Sequence, residues 1–495
     1  MSFMQSNAPV RSPVASPGAH RQAVNDIHSK LNATIVRSIV RATSLESVQA
    51  TVSAAGSQGG KICVAGGRHA MGGQQFASEA TLVDMTGLNR VVNIDYQRGL
   101  VEVEAGIMWP ELINHLVEAQ KGAPKQWGIT QKQTGADGLT IGGALAANIH
   151  GRGLRLKPII ADVESCVLVD QAGRALNCSR QENSELFRLA IGGYGLFGIV
   201  SRVTLRLSAR RKVTRNVQVV QTSELMPAFS SAIGDGALYG DFQFAIDHKS
   251  GDFLRQGILS TYHPAHSDTP ISGQQTTLTP ADWRRLVYLA HYDKSAAFAE
   301  YKRHYLGTRG QVYWSDTHQL STYLDDYHGQ IDRDSPDQCA ASEIITEIYV
   351  PRSSLNAFLE CVRQDFRWNS VDLIYGTIRL IEPDRESFLS WAREPYACVI
   401  FNIHTAHTGE GIAASAATFR RLIDMAIRFH GNYYLTYHKF ATAEQLLACY
   451  PQFPAFLELK DKYDPNTVFD SDWHRHYRRL LAAQVSPSES SFAKT

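Results

Sequence analysis

The stretch KICVAGGRHAMGGQQF, Lys61 to Phe76, reads as a short buried strand that runs into a turn of paired glycines. Arg68 and His69 lie at the tip of this turn, and Gly72 and Gly73 follow. Because glycine leaves the backbone N–H groups unobstructed, such a turn can form a concave site for a phosphate, with the histidine beside whatever carries it. A plain tight turn with an exposed histidine would read the same way, so the rest of the chain has to decide.

Length and composition narrow the class of protein. With 495 residues the chain is too long for one compact core, so we expect two domains. A net charge of +1 gives no sign of a nucleic-acid or anionic membrane partner. Seven cysteines without a C-x-x-C pair are typical of reduced thiols. No apolar run reaches the roughly 20 residues of a membrane span, and the first residues lack the apolar core of a secretory signal, so we expect a cytoplasmic protein.

The N-terminal part of the chain predicts alternating strands and helices. A strand-like run from Ala33 is followed by Ser44, a helix-capping residue, and by a predicted helix over Leu45 to Ala55. The strand of the glycine turn comes next, which makes a small α/β unit. Farther on, Trp109 to Glu118 reads as a helix with Pro110 in its first turn.

A second glycine-rich stretch covers Gln131 to Gly153, QKQTGADGLTIGGALAANIHGRG. Its glycines are too many for a regular helix or strand, yet its apolar residues are too regular for a loop in solvent. A buried loop must satisfy its backbone polar groups, and a bound polar ligand is one way to do so.

A third stretch, Gly192 to Gly198, contains a literal G-x-G-x-x-G at Gly193, Gly195 and Gly198. The dinucleotide fingerprint of that form needs a strand before it and a helix after it. Here a predicted helix precedes and a predicted strand follows. We therefore interpret these glycines as a turn that passes close to a ligand or to another part of the backbone.

The character of the chain changes after Ala209, at the basic run Arg210 to Arg215. Strands separated by helices follow, which predicts an α+β domain with a mostly antiparallel sheet. Near the end, Tyr433 to Lys439 reads as a strand crowded with aromatic and polar residues. We predict a disordered lead-in at 1–30, a first domain at 31–208, a second at 209–428, a segment that returns to the first at 429–482, and a disordered tail at 483–495.

Four motifs follow one another along the chain: AGGRHAMGGQ, TGADGLTIGGALAANIHGRG, ENSELFRLAIGGYGLFGIVSRVTLRL and KYDPNTVFDSDW. In this order they resemble FAD-linked oxidoreductases of the vanillyl-alcohol oxidase and p-cresol methylhydroxylase superfamily, over about 32–207 and 431–481. Within it the chain is most similar to the alditol and aldonolactone oxidases and decaprenylphosphoryl-ribose oxidase. The resemblance implies an α+β fold, with a two-lobed FAD-binding domain and a substrate-binding cap domain.

The resemblance also implies which residues hold FAD. The glycine turn would bind the pyrophosphate, the second stretch would line the other side of the flavin, and two later residues would close on it. These residues are Ala65, Gly66, Gly67, Arg68, His69, Ala70, Gln74, Thr134, Gly135, Gly142, Gly143, Ala146, Asn148, Gly151, Ile199 and Tyr434.

In many members of the family, a histidine at the position of His69 is joined covalently to the 8α-methyl group of the flavin. Ala70 stands where those members have Ser or Thr. The Gln131 to Gly143 loop has no cysteine for a second attachment. A single covalent link through His69 is therefore the expectation.

Oxidation of an alcohol at a flavin needs a base or a cation near the substrate oxygen, while hydride passes to flavin N5. The resemblance places candidate catalytic groups on the cap and near the C-terminus, and two more on the flavin side: Arg379, His404, Tyr437, His438 and Lys439, with His150 and Arg152. His404 is equally consistent with a core histidine. His150 and Arg379 lie among apolar residues, where a polar group is costly unless it is paired or used.

Two departures from these relatives concern the substrate. Thr377 stands where polyol oxidases have a glutamate before the arginine, and Tyr437 aligns with an expected lysine unless Lys439 takes its place. The sugar or polyol substrate is thus an analogy from the fold. His474 and His476 lack a third ligand at metal spacing, so we predict no metal site.

Three functions are compatible with these observations. The first is an FAD-dependent oxidoreductase that oxidises a CH–OH group of a sugar-like, polyol or other alcohol and passes the electrons to O2 or another acceptor. The second is a flavin-dependent C=C reductase similar to sterol Δ24-reductase, with a nicotinamide donor. The third is a non-enzymatic binding protein, which the continuous flavin motifs and His69 disfavour. We expect a small-molecule substrate, no nucleic-acid partner and no membrane span.

Overall fold

The computed structural model describes residues 21–322, 324, 327–335 and 339–485. These residues form a three-stranded parallel sheet, two antiparallel sheets of six and eight strands, a two-stranded ribbon, and thirteen α-helices. The predicted α+β class is therefore confirmed. Among the described residues, no helix is long and apolar enough to cross a membrane.

The first lobe is built on the parallel sheet, in the strand order β3-β5-β4. The strand of the glycine turn is β4. Ser44 caps the predicted helix by accepting a hydrogen bond from the backbone N–H of Ser47. The elements of this lobe are β1 (Gln22–Val24), β2 (Thr34–Val36), β3 (Ser38–Arg41), α1 (Leu45–Ser57), β4 (Ile62–Ala65) and β5 (Thr81–Asp84).

The predicted disordered lead-in extends too far, because ordered structure begins before residue 30. Strand β1 pairs antiparallel with β2. Between them, the buried Asp26 carboxylate accepts hydrogen bonds from Ser29 and Asn32, which fixes the connecting turn. At the other end, the last helix continues to Val485, past the predicted start of the tail. The rest of both predicted tails lies outside the described residues.

The second lobe contains the six-stranded antiparallel sheet, in the order β10-β9-β11-β7-β6, with β8 paired to the end of β11. The predicted helix at Trp109 is present. The elements are β6 (Val91–Asp95), β7 (Leu100–Glu104), α2 (Trp109–Ala119), β8 (Trp127–Ile129), α3 (Ile141–Ala147), β9 (Val163–Val169), β10 (Ala175–Ser179), α4 (Ser184–Ala190) and β11 (Ile199–Ala209).

The second glycine-rich stretch contains a helix, α3, which the sequence analysis did not expect. Thr140 caps it by accepting a hydrogen bond from the N–H of Gly143. A Cβ on Gly142 would come within 3.0 Å of the Ala105 Cβ, so glycine is needed here for close helix packing. The third stretch joins α4 to β11 in the helix-to-strand order that we predicted, with Gly195 at a positive φ of 75°.

The C-terminal half forms the eight-stranded sheet, in the order β15-β12-β14-β13-β17-β18-β16-β19, with antiparallel neighbours throughout. Asp293 separates two consecutive helices and caps the second by accepting a hydrogen bond from the Ala296 N–H. The elements are β12 (Lys212–Gln221), α5 (Leu225–Gly234), β13 (Tyr239–Phe244), β14 (Gln256–Pro264), α6 (Pro280–Tyr292), α7 (Lys294–Gly307), β15 (Val312–Trp314), α8 (His328–Asp334), β16 (Ala341–Pro351), α9 (Leu355–Trp368), β17 (Leu373–Ile381), β18 (Tyr396–Ala406), α10 (Gly409–Arg428) and β19 (Asn432–Tyr433).

The predicted strand over Tyr433 to Lys439 is wrong beyond its first residue. After β19 the chain leaves the sheet and crosses to the glycine turn, where the Gln74 side-chain amide donates to the carbonyl of Leu435 at 3.1 Å. Ile62 and Phe469 then form a parallel bridge, which returns the C-terminal segment to the first lobe. The last helices are α11 (Ala443–Cys449), α12 (Phe453–Tyr463) and α13 (Asp472–Val485).

Candidate functional site

A cavity of about 1290 Å³ lies between the loops of the two lobes and the eight-stranded sheet. Pockets for small ligands usually measure about 300–1,000 Å³. This cavity therefore has room for a large ligand together with a second, smaller one. All three glycine-rich stretches contribute to one end of its wall, and side chains of the eight-stranded sheet form the other end.

At the glycine end, the turn after β4 packs directly on the loop before α3. A Cβ on Gly67 would overlap the carbonyl oxygen of Gly138, and one on Gly66 would overlap the Thr140 hydroxyl. Arg68, the residue after Gly67, adopts a positive φ of 59°. Close backbone contact thus explains the paired glycines and holds the two loops together at the cavity.

His69 lines the cavity at the tip of the turn, next to a second histidine. Its Nδ1 lies 2.7 Å from Nε2 of His28, which belongs to the turn after β1. Burial, together with the neighbouring His28 ring, lowers the pKa of His69 to about 3. The His69 ring is therefore neutral at physiological pH and keeps a lone pair on one nitrogen.

Several buried polar atoms at this end have no hydrogen-bond partner within the described chain. They are Oε1 of Gln74 and of Gln75, Nε2 of Gln133 and Oγ1 of Thr134, and all four residues line the cavity. Buried polar atoms are costly unless a partner satisfies them. Gly135 beside them faces open space. A polar ligand with both donors and acceptors would satisfy this end of the cavity.

At the other end, a buried carboxylate on β16 connects several polar groups. Glu347 Oε2 lies 2.9 Å from Nε2 of His150 and accepts a hydrogen bond from Tyr349 at 2.9 Å, while Oε1 accepts one from Tyr437 at 2.8 Å. Burial alone would raise the pKa of Glu347, but His150, Arg379 and the Tyr437 hydroxyl outweigh it and hold this pKa at about 2. The carboxylate is therefore ionised.

Each ring nitrogen of His150 has a close oxygen partner. Nδ1 faces the carbonyl oxygen of Gly151 at 3.1 Å, and Nε2 faces the Glu347 carboxylate. His150 therefore connects the loop at Gly151 to the buried Glu347 carboxylate.

Arg379 on β17 lines the same end of the cavity and is only 8% exposed. Its Nε has no hydrogen-bond partner among the described residues. A buried guanidinium with an unused donor is well suited to hold a ligand oxygen that carries or develops negative charge.

Beyond Arg379, the cavity continues between aromatic rings and two further arginines. Arg215 donates to the Tyr262 hydroxyl at 2.7 Å, and its guanidinium lies 4.7 Å from the centre of the Tyr313 ring. The Arg152 guanidinium lies over the ring of Tyr262 at 5.1 Å. Burial and the two arginines lower the pKa of His318 well below its usual value, which leaves a neutral ring there.

The structure brings most of the predicted residues to the cavity wall. The cofactor candidates that line it are Ala65, Gly66, Gly67, Arg68, His69, Ala70, Gln74, Thr134, Gly135, Gly142, Gly143, Ala146 and Tyr434, and the catalytic candidates are Arg379, Tyr437, His150 and Arg152.

Three cofactor candidates lie behind the wall. The Asn148 side chain is fully buried and bonds Asp384 at 2.9 Å, so it braces the loop from behind. A Cβ on Gly151 would meet the carbonyl oxygen of Lys132 at 2.7 Å, which makes it a packing glycine. Ile199 is buried in the small core of the first lobe.

Three catalytic candidates also lie away from the cavity wall. Because the chain leaves the sheet after β19, Lys439 points behind the glycine turn, with Nζ 3.4 Å from the carbonyl oxygen of Gly72. His438 stacks on Phe440 at 5.1 Å. His404 on β18 faces a different carboxylate, Glu343, at 3.3 Å. The predicted convergence of Arg379, His404 and Lys439 is therefore not observed.

The sequence analysis missed Glu347 and His28. Glu347 could have been found from the alternation in SEIITEIYV, where Glu343 and Glu347 fall on one face of a strand that is otherwise apolar. His28 gave no signal, because it lies in the segment that was predicted to be disordered.

Comparison with known proteins agrees with this geometry. Residues 36–179 match the family described as FAD binding domain, and residues 336–477 match the family described as D-arabinono-1,4-lactone oxidase. L-gulono-1,4-lactone dehydrogenase of Mycobacterium tuberculosis (strain ATCC 25618 / H37Rv) is 24% identical over 440 residues, which are 88% of this chain and 95% of that protein.

The chain belongs to the vanillyl-alcohol oxidase and p-cresol methylhydroxylase superfamily. L-galactono-1,4-lactone dehydrogenase, mitochondrial, of Arabidopsis thaliana is 32% identical over 149 residues, 30% of this chain and 23% of that protein. Cytokinin dehydrogenase 2 of Arabidopsis thaliana is 32% identical over 149 residues, 30% of this chain and 28% of that protein. As a superfamily member in the aldonolactone oxidase branch, the chain is an FAD-dependent oxidoreductase, and the predicted cofactor is confirmed.

The residues present fit FAD. The unpartnered polar atoms of Gln74, Gln75, Gln133 and Thr134 offer donors and acceptors to a polar cofactor, and the glycine turn lies beside them in the matched region.

Proposed function

We propose that this enzyme oxidises a CH–OH group of an aldonolactone or a related sugar-like or polyol alcohol. One observation carries the proposal: Arg379 and the hydrogen-bonded pair Glu347 and His150 face the same cavity as the glycine loops that fit FAD. The likeness to L-gulono-1,4-lactone dehydrogenase supports the class of substrate.

Bound FAD supplies a hydride acceptor at N5. The chain has to orient the alcohol and to manage its proton. Glu347 Oε1 has one donor within the described part of the chain, Tyr437, and so keeps room to accept a hydrogen bond from the substrate hydroxyl. Because a carboxylate with a pKa of about 2 is a weak base, proton transfer to it needs a cation beside the substrate oxygen that makes the hydroxyl more acidic.

Arg379 has a complementary task in this proposal. Its unused Nε–H donates to the same substrate oxygen and stabilises the negative charge that develops there as the proton moves to Glu347. His150 and Tyr349 hold the carboxylate in place through their contacts with Oε2. These roles replace the predicted participation of His404, His438 and Lys439.

We further propose that the first domain, 31–208, and the returning segment, 429–482, bind the cofactor, while the cap, 209–428, binds the substrate. The cofactor would be attached covalently through His69. The neutral His69 ring has the lone pair that bond formation to the flavin 8α-carbon requires. His28 holds that ring in orientation. The acceptor is O2 or another oxidant, and the free thiols of all seven cysteines support a cytoplasmic location.

Anaerobic reduction of the bound flavin tests the proposal. L-Gulono-1,4-lactone, L-galactono-1,4-lactone, the corresponding free sugars and polyols, and NADPH are each mixed with the oxidised enzyme. Bleaching of the flavin by one or more of the hydroxylated compounds, with none by NADPH, is expected. Reduction by NADPH alone would instead favour the C=C reductase, which the likeness to lactone dehydrogenases does not support.

A further inference from the structure

A second buried carboxylate, Glu343, is surrounded by three histidines. Its Oε1 lies 3.1 Å from Nε2 of His291 and 3.3 Å from Nδ1 of His404, and its Oε2 lies 2.7 Å from Nε2 of His328. The Glu343 side chain is 2% exposed and that of His291 is 5% exposed. The proposed alcohol oxidation uses none of these four groups.

Hydrogen bonds alone leave this cluster incomplete. Nε2 of His291, the nitrogen that faces Glu343, has no hydrogen bond of acceptable geometry to any described residue. Buried ring nitrogens without a partner point to a missing water or ion. Three imidazoles converging on one carboxylate form a typical ligand set for a divalent transition metal.

The distances agree with metal coordination. Zn²⁺ binds histidine nitrogen and carboxylate oxygen at about 2.0–2.2 Å, so neighbouring ligand atoms of a tetrahedral site lie about 3.3 Å apart. The separations of His291 and His404 from Glu343 Oε1 are 3.1 and 3.3 Å. We propose that His291, His404 and Glu343 bind one Zn²⁺ or a similar divalent metal ion, with His328 or Asp372 as the fourth ligand.

A second carboxylate stands beside the cluster. The ligand atoms of Asp372, His291 and His404 lie within 4.8 Å of one another. Asp372 is itself held by Lys294, whose Nζ lies 2.8 Å from Oδ1. It can enter the coordination sphere if His328 leaves it, and Lys294 offsets part of the added negative charge.

The metal would connect four separate elements of the cap. His291 is on α6, His328 begins α8, Glu343 is on β16 and His404 is on β18. Glu343 lies four residues before Glu347 on the same strand, roughly 13 Å away at about 3.3 Å per residue. His328 and Glu343 also line the cavity. The metal ion therefore stabilises the far wall of the substrate cavity and takes no part in hydride transfer.

Metal binding is tested directly on the full-length, tag-free holoenzyme. The protein is treated with a chelator, incubated with ZnCl₂, passed over a desalting column and analysed for zinc and for FAD. We expect one Zn²⁺ per chain and a higher Tm with ZnCl₂ than with MgCl₂. Loading with Co²⁺ should add d–d absorption bands to the red of the flavin bands, which report imidazole coordination independently of enzyme activity.

His291→Ala and His404→Ala should each lower zinc retention at least tenfold, while His266→Ala, which removes a histidine whose side chain is 78% exposed, should retain wild-type zinc. Normal FAD content and circular dichroism show that a variant is folded, and His328→Gln serves as a milder third variant. The proposal is overturned if wild-type protein retains no zinc, or if folded His291→Ala and His404→Ala retain as much as wild type.

Discussion

Replacing Arg379 by alanine should slow hydride transfer far more than it weakens cofactor binding. Arg379 is buried, lines the substrate end of the cavity and contributes a guanidinium with an unused Nε–H. The variant leaves the glycine loops untouched. FAD content and Tm should therefore stay close to wild type.

The magnitude follows from the charge that Arg379 is proposed to stabilise. Two unit charges about 4 Å apart interact by about 4 kcal/mol at an effective dielectric constant near 20. The substrate oxygen carries only part of a charge in the transition state, so a loss of about 3 kcal/mol, or roughly 10²-fold in rate, is expected. The variant also loses a charge that lowers the pKa of Glu347, so this pKa should rise and the acidic limb of the pH–rate profile should move to higher pH.

The assay is stopped-flow reduction of the flavin under anaerobic conditions, at several substrate concentrations and pH values. Arg385→Ala, which removes an exposed arginine four residues after β17, serves as the matched control and should behave like wild type. An Arg379→Ala enzyme that binds FAD normally and whose flavin is reduced at the wild-type rate would refute the assigned role, because the arginine would then contribute nothing to hydride transfer.

Three further predictions concern the cofactor and the carboxylate. His69→Ala should release all FAD on acid denaturation while still binding it when native, whereas wild-type pellets should stay yellow; wild-type flavin that is released entirely would disprove the covalent link. Gly67→Ala should lower Tm and FAD retention, by the equivalent of about 1–3 kcal/mol, because the added Cβ overlaps the neighbouring loop. Gly234→Ala, at the end of α5 in open space, is the control and should lower neither. Equal losses in the two variants would contradict the packing argument. The pKa of Glu347 is depressed, so the stability that its ionised carboxylate contributes is present above about pH 4.5 and is lost as the pH falls toward 2. The difference in Tm between wild type and Glu347→Gln should therefore shrink over that pH range. A constant difference would rule out an ionised Glu347.

The glycine stretches could be interpreted from the sequence because their chemistry is local. A strand that ends in paired glycines needs only its own residues to form a turn, and the structure adds why the pair is required at Gly66 and Gly67: the second loop lies against them. The helix at Ile141–Ala147 was missed because glycine disfavours helices, and the close packing of Gly142 on Ala105, which is distant in the sequence, cannot be read from the local residues.

The substrate end of the cavity could be predicted only in part. Arg379 was found from the family resemblance, supported by its position as a cation in an apolar strand. The positions of His438 and Lys439 depend on where the chain leaves the sheet after Tyr433, and that is decided by contacts with the first lobe. The partner of His404 was missed for a similar reason, since Glu343 lies 61 residues away and meets it only through strand pairing of β16 with β18.

The most direct test of the proposed reaction centre is a crystal structure of the holoenzyme with a bound aldonolactone or its oxidised product. The proposal predicts that one ligand oxygen lies within hydrogen-bond distance of both Arg379 and Glu347, with the adjacent carbon facing flavin N5. A ligand bound only among Arg152, Arg215 and Tyr313, with Arg379 and Glu347 untouched, would contradict it.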